Sequence, residues 1–133
     1  MRGLSAFGIP LGMAFQLKDD ILGVFGDPAV TGKPAGDDLR EGKRTVLIAM
    51  TLESLEDKGR DELLSHLGQP EISLEKIEEL RALITSSGAV EKVENLIEKL
   101  TNESLTAIED PAINPSSREL LTYIALSAVK RSA

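Results

Sequence analysis

Cysteine and tryptophan are absent from this sequence, and histidine occurs once, as His66. Without cysteine there is no disulfide scaffold, no thiolate zinc site and no thiol nucleophile. A single imidazole excludes a multi-histidine metal site, so any metal chemistry must draw on oxygen ligands. Aromatic residues are scarce, 3% against 41% hydrophobic, so the core has to be built from Leu, Ile, Val and Ala. The 133 residues leave room for one domain with one core. Basic charge is in short supply too: the formal net charge is -7, which argues against a nucleic-acid partner, since that binding needs clustered Lys and Arg. Long apolar runs are also missing. Gly3 to Leu17 carries no charge but is shorter than the about 20 residues that span a bilayer, and Gly8, Pro10 and Gly12 interrupt it. No Ala-x-Ala cleavage pattern precedes Lys18-Asp19-Asp20. Neither a transmembrane segment nor a signal peptide is expected, and the cytoplasm is the default location.

What is present is unevenly placed. Up to Thr45 six basic residues (Arg2, Lys18, Lys33, Arg40, Lys43, Arg44) balance six acidic ones (Asp19, Asp20, Asp27, Asp37, Asp38, Glu41). The whole acidic excess lies beyond. Eight of the eleven glycines and all three phenylalanines also fall in this first third. The chain reads as a glycine-rich, charge-balanced head followed by an acidic, aliphatic tail, and chemistry is expected in the head.

The tail reads as helical throughout. Val46, Leu47, Met50, Leu52 and Leu55 suit an amphipathic helix that stops at Gly59. Leu63, Leu64 and Leu67 mark a short helix ending at Gly68, with His66 a surface or helix-end residue. Ser73 is a plausible N-cap for a helix through Ile77, Leu80, Leu83 and Ile84, with Gly88 as its stop. Val90, Val93, Leu96, Ile97, Leu100, Leu105 and Ile108 describe the next helix, closed by Pro111. Asn114 and Pro115 open the last, with Tyr123 expected in the core and Lys130-Arg131 suited to its C-terminal end. No segment alternates with period two, so the class is all-α. In the head, Leu4, Phe7, Leu11, Ala14, Leu17, Ile21 and Phe25 recur at helical spacing, and Pro10 either starts or kinks that helix. From Asp27 to Arg44 periodicity vanishes, which reads as a loop of roughly seventeen residues, a length usually reserved for function.

Two groups of residues could carry chemistry. On a helix, Gln16, Asp19, Asp20 and Gly23 share one face, and two carboxylates beside an amide suit a hard divalent cation such as Mg²⁺. Read alone, the pair is more simply the solvated face of an amphipathic helix. Downstream, Gly32-Lys33 invites a P-loop reading that fails: Gly26 is one residue too far, Pro34 replaces the Ser or Thr, and the loop follows a helix. An EF-hand from Asp37 fails because Leu39 and Ile48 stand where oxygen ligands belong. What survives is a loop with Lys33 and Lys43 opposite an acidic helix face, an arrangement that a metal bound to a phosphate explains and that a solvated loop with incidental ion pairs explains as well.

The run Phe15-Gln16-x-x-Asp19-Asp20, then Gly26-Asp27, Gly32-Lys33 and Gly36-x-Asp38-Leu39-x-Glu41-Gly42-Lys43-x-Thr45 resembles the second aspartate-rich region of the polyprenyl diphosphate synthases. These are the trans-prenyltransferases that include farnesyl and geranylgeranyl diphosphate synthases. Ser86-Ser87-Gly88-Ala89 between two helices and a last helix ending in basic residues are similar to the same family. The resemblance covers essentially the whole chain but only the C-terminal part of the family's fold. It divides the chain into an Asp-rich helix (1–26), a diphosphate-binding loop (27–45) and a helical tail (46–133).

The resemblance implies the all-α isoprenoid synthase fold, with helices around a central cavity. It also implies Mg²⁺-dependent transfer of an allylic prenyl diphosphate to isopentenyl diphosphate. Residue by residue, it implies that Asp19 is a Mg²⁺ ligand and that Asp20 and Asp37 hold metal-bound waters. Gln16 contacts the diphosphate end of the allylic substrate, Lys33 and Lys43 pair with diphosphate oxygens as their loop closes, and Phe15 lines the cavity. Asp19, Asp20 and Lys33 are the catalytic set. The family's motif carries a third Asp where this sequence has Gly23, so ligation there is lost or passes to water or Asp27. The family's first aspartate-rich motif and the residues that grip isopentenyl diphosphate have no counterpart here. The expectation is therefore half of a site, inactive alone, in a chain that associates with itself or with a missing N-terminal part. The alternatives are a non-catalytic scaffold or regulatory subunit of a prenyltransferase, and a helical interaction module without a ligand.

Overall fold

The computed structural model describes residues 2–129, which hold eight α-helices and no strand among the described residues. They are α1 (Arg2–Phe25), α2 (Pro28–Thr31), α3 (Asp37–Glu41), α4 (Val46–Ser54), α5 (Asp57–His66), α6 (Leu74–Ser86), α7 (Ala89–Ala107) and α8 (Pro115–Val129). The all-α class read from the periodicity is the one found. Lys130 and Arg131, expected at the end of α8, lie outside the described residues. No helix among the described residues is long and apolar enough to cross a membrane. The chain divides into two compact units, the first made of the stretches up to Lys18 and from Glu94, the second of Asp19–Val93.

In the first unit, Phe7 of α1, Ile108 and Ile113 after α7, and Ala125 of α8 form a buried cluster. Leu11, Leu105, Ala107 and Leu121 pack against it. The buried hydroxyl of Ser104 donates to the Phe7 carbonyl at 2.9 Å and so ties α7 to α1. Helix α1 runs through Pro10 rather than starting there. Asn114 caps α8 through the Ser117 amide at 2.8 Å, with Pro115 in the first turn. Tyr123 departs from expectation: it is 69% exposed. Leu121 and Ala125 carry the inward stripe of α8, and Tyr123 falls on the opposite side with Leu120 and Ile124.

The second unit is built on Leu39, Leu47, Ile48, Leu63, Ile77, Leu80 and Ile84, all fully buried. Ser73 accepts from the Lys76 amide at 3.1 Å and caps α6, and Gly88 follows that helix with φ 84, a left-handed conformation that glycine adopts without strain. Gly59 does not stop α4. The break comes earlier, where Leu55 turns extended (ψ 149), and Gly59 sits inside α5. The span from Asp27 to Arg44 is not a structureless loop either, since it holds α2 and α3. Asp27 caps α2 by accepting from the Ala29 amide at 2.9 Å, Pro28 fixes the first helical φ, and Gly32 ends the turn at φ 73. Gly36 and Gly42 bracket α3 in the left-handed region, and Leu39 anchors it in the core.

Candidate functional site

The carboxylates and lysines singled out in the sequence all belong to the second unit. Asp19 and Asp20 lie on α1 four and three residues before Gly23, Asp19 half-buried and Asp20 only 4% exposed. An aspartate that far from water is held there by neighbours rather than by solvation, which sets it apart from an ordinary solvated helix face. From the other side comes α3, with Asp37 half-buried and Asp38 7% exposed.

Asp38 meets α1 at Gly23. A Cβ built on Gly23 would collide with the Asp38 carboxyl group. The absent side chain at position 23 is therefore what lets a carboxylate from α3 come up against α1. Asp27 is exposed and engaged in capping α2, whereas Asp38 brings an acid to the place itself.

Burial pushes the Asp38 carboxyl above its usual 3.8. The negative charges of Glu41 and Asp20 push the same way, and the positive charges of Lys43 and Lys33 oppose them. Four sequence-named charges thus act on one carboxyl group. Lys33 and Lys43 themselves are exposed, one just beyond the end of α2 and the other just beyond α3. The Lys43 amide donates to the Asp38 carbonyl at 3.0 Å, which fixes where that lysine leaves the backbone.

Asp37, Asp38 and Glu41 each present a carboxylate oxygen within 4.8 Å of the others. This all-oxygen donor set fits a hard divalent cation, which for Mg²⁺ would be bound by one or two carboxylates, with water and phosphate completing the shell. Asp38 and Glu41 were not singled out as ligands from the sequence. Asp37 and Asp38 are adjacent, and spacing alone does not say which of them turns toward α1. The structure turns Asp38 that way.

Phe15 and Gln16 belong to the first unit, where both are exposed on α1. His66 is the last residue of α5, and its Nδ1 lies 2.8 Å from the Glu62 carbonyl within the same helix, as suits a helix-end residue.

The polyprenyl synthetase family model matches residues 1–84. The geranylfarnesyl diphosphate synthase of Aeropyrum pernix is 36% identical over 125 residues, which are 93% of this chain and 38% of that protein. The geranylgeranyl diphosphate synthase of Saccharolobus solfataricus is 31% identical over 132 residues, 98% of this chain and 40% of that protein. Among solved structures, the geranylgeranyl pyrophosphate synthase of Corynebacterium glutamicum, complexed with isoprenyl diphosphate and magnesium, superposes with a TM-score of 0.91. It is 42% identical over 97% of this chain and 37% of that one. The chain thus spans about two fifths of the length of the relatives it matches.

Proposed function

The chain belongs to the polyprenyl synthetase family, and from that premise we propose that it supplies the second aspartate-rich half of a Mg²⁺-dependent diphosphate site for prenyl chain elongation. In that reaction the bond between an allylic carbon and its diphosphate breaks and a carbon–carbon bond to isopentenyl diphosphate forms. A proton and the diphosphate leave. The observation that carries the reading is the seating of Asp38 against Gly23, which brings an α3 carboxylate to the aspartate-bearing helix within range of Lys33 and Lys43.

Asp19, Asp20 and Asp37 would hold the metal, directly or through its waters, with Asp38 beside them. Bound Mg²⁺ supplies the positive charge that a departing diphosphate requires. Lys33 and Lys43 supply the same kind of stabilisation as point charges carried on the α2–α3 segment, and excluding water as that segment closes strengthens both. Gln16 is assigned to the diphosphate end of the allylic substrate and Phe15 to its hydrocarbon. With one aspartate-rich half the chain turns nothing over by itself, and completing the site requires association with further polypeptide. The Corynebacterium glutamicum relative, with its isoprenyl diphosphate and magnesium, supports the choice of ligand class and metal.

Calorimetric titration of inorganic diphosphate in the presence of Mg²⁺ tests the reading. Saturable binding that needs the metal and is abolished by Asp19→Asn is expected. Binding that is absent, or that survives Asp19→Asn, overturns it. Robust turnover of allylic and isopentenyl diphosphates by the purified 133-residue chain overturns the half-site assignment.

A further inference from the structure

The carbonyls in the last turn of a helix have no partner within it, and they form the negative end of its dipole. In α1 this end follows directly on Asp19 and Asp20, yet its last turn contains no basic residue. The cation comes from elsewhere. Arg81 of α6, 57 residues beyond Val24, donates from Nε to the Val24 carbonyl at 2.6 Å and from Nη2 to the Gly26 carbonyl at 3.4 Å. Its Nη1 pairs with Glu78 at 2.6 Å, and its side chain is 16% exposed. The planar fork of a guanidinium spans two carbonyls at once, which a lysine ammonium at the same place cannot do equally well.

Gly26 is where the chain turns out of α1. Its amide donates back to the Leu22 carbonyl at 2.8 Å, and a Cβ there would come within 2.7 Å of the Thr31 methyl group. From this tight point Asp27 starts α2, Gly32 ends it, and Lys33 follows. Whatever fixes Val24 and Gly26 therefore fixes the base of the arm that delivers Lys33.

We infer that Arg81 is a positioning residue: it caps α1 from α6 and sets the direction in which the Gly26–Lys33 arm leaves the aspartate-bearing helix. It touches no ligand. Its influence on diphosphate binding rests on the site reading above, whereas its hold on the arm stands on the hydrogen bonds alone.

Amide hydrogen exchange on the 133-residue chain, paired with Mg²⁺–diphosphate titration, tests this. Arg81→Gln is expected to speed exchange at Val30, Thr31 and Gly32, whose amides bond within the arm, while α4 and the rest of α6 keep their protection. Diphosphate affinity falls about tenfold, the scale of a lost charge-assisted hydrogen bond. Arg81→Lys, which keeps the charge, recovers part of both. Unchanged exchange at those three amides in Arg81→Gln overturns the inference, and so does loosening that spreads equally into α4. A wild-type chain that binds no diphosphate overturns the site reading instead, and the exchange data then still decide the role of Arg81 as a cap.

Discussion

The carboxyl group of Asp38 fills the volume that a side chain at position 23 of α1 would occupy. Helix α3 is five residues long and could not hold its place by its own hydrogen bonds. It is held by Leu39 in the core and by glycines in the left-handed region at each end, and Asp38 is the group that it carries to α1. A glycine in a helix is usually a weak point. Here it is a socket.

Gly23→Ala should therefore behave unlike an ordinary glycine-to-alanine change in a helix. The gain in helix propensity is about 1 kcal/mol, but inserting a methyl group against a packed neighbour costs about 1–3 kcal/mol. The expected outcome is a chain no more stable than wild type, with faster amide exchange in α3. Gly8→Ala and Gly12→Ala are the controls, since a Cβ at either position meets nothing within 4 Å. Each should raise the urea midpoint. Equal stabilisation by all three substitutions would show that Asp38 moves aside freely.

Asp38 also sets a pH dependence. Its folded-state pKa is raised above the ordinary 3.8, chiefly by burial, so the folded chain binds this proton more tightly than the unfolded chain does. The sign follows from linkage. Below the unfolded value both states are protonated and burial of the group carries no penalty. As pH rises through the raised folded value, stability is lost, and the loss persists to neutral pH. Without metal, Asp38→Asn should be more stable than wild type at pH 7, the advantage shrinking as pH falls toward 3.8. Glu62 runs the other way: Lys76, at 2.8 Å, lowers its pKa from 4.5, so its contribution is lost on acidification. Subtracting the Asp38→Asn urea curves from wild type in EDTA isolates Asp38. The same variant should bind Mg²⁺–diphosphate more weakly, stability and binding pulling in opposite directions.

How much of this was legible in the sequence follows from how local each feature is. Ser73 and Asn114 were readable as caps because a cap is decided within three residues of itself. The segments α2 and α3 were not, because four or five residues show no helical period and are fixed by caps and by one buried leucine. Gly59 misled because glycine marks a helix end only where the backbone turns, and the turn is made by Leu55. Tyr123 misled because an aromatic residue at helical spacing suits an inner or an outer stripe equally. The Asp-rich motif pointed to a set of candidate side chains, but not to the meeting of Gly23 with Asp38 or the reach of Arg81 to Val24. Those contacts join residues far apart in the chain.

Lys33 and Lys43 should affect binding and leave the fold alone. Both are exposed, and neither contributes to the core. Lys33→Ala and Lys43→Ala are each expected to weaken Mg²⁺–diphosphate binding by about 1–2 kcal/mol, roughly five- to thirtyfold. The urea midpoint should not shift. Because the lysines face solvent, the loss should shrink as salt is raised. Wild-type affinity in both variants at low salt would remove the lysines from the site.

The outer stripe of α8 carries the final prediction. Leu120, Tyr123 and Ile124 stand at helical spacing and are 59%, 69% and 42% exposed, while Leu121 and Ala125 on the other side meet the core. On α1, Ile9 and Met13 are likewise one turn apart and open. Scattered apolar residues on a surface need no explanation, but stripes on two helices of one small unit favour association. The 133-residue chain should therefore sediment with a mass that rises with concentration. Leu120→Glu with Tyr123→Glu should shift it toward the monomer. The circular dichroism and urea midpoint should stay those of wild type, because neither residue belongs to the Phe7–Ile108–Ile113–Ala125 cluster. A wild-type chain that is monomeric at high concentration would mean that these stripes do not pair with copies of themselves. If the double variant unfolds instead, the stripe belongs to the core after all, and the partition of α8 into inner and outer faces is wrong.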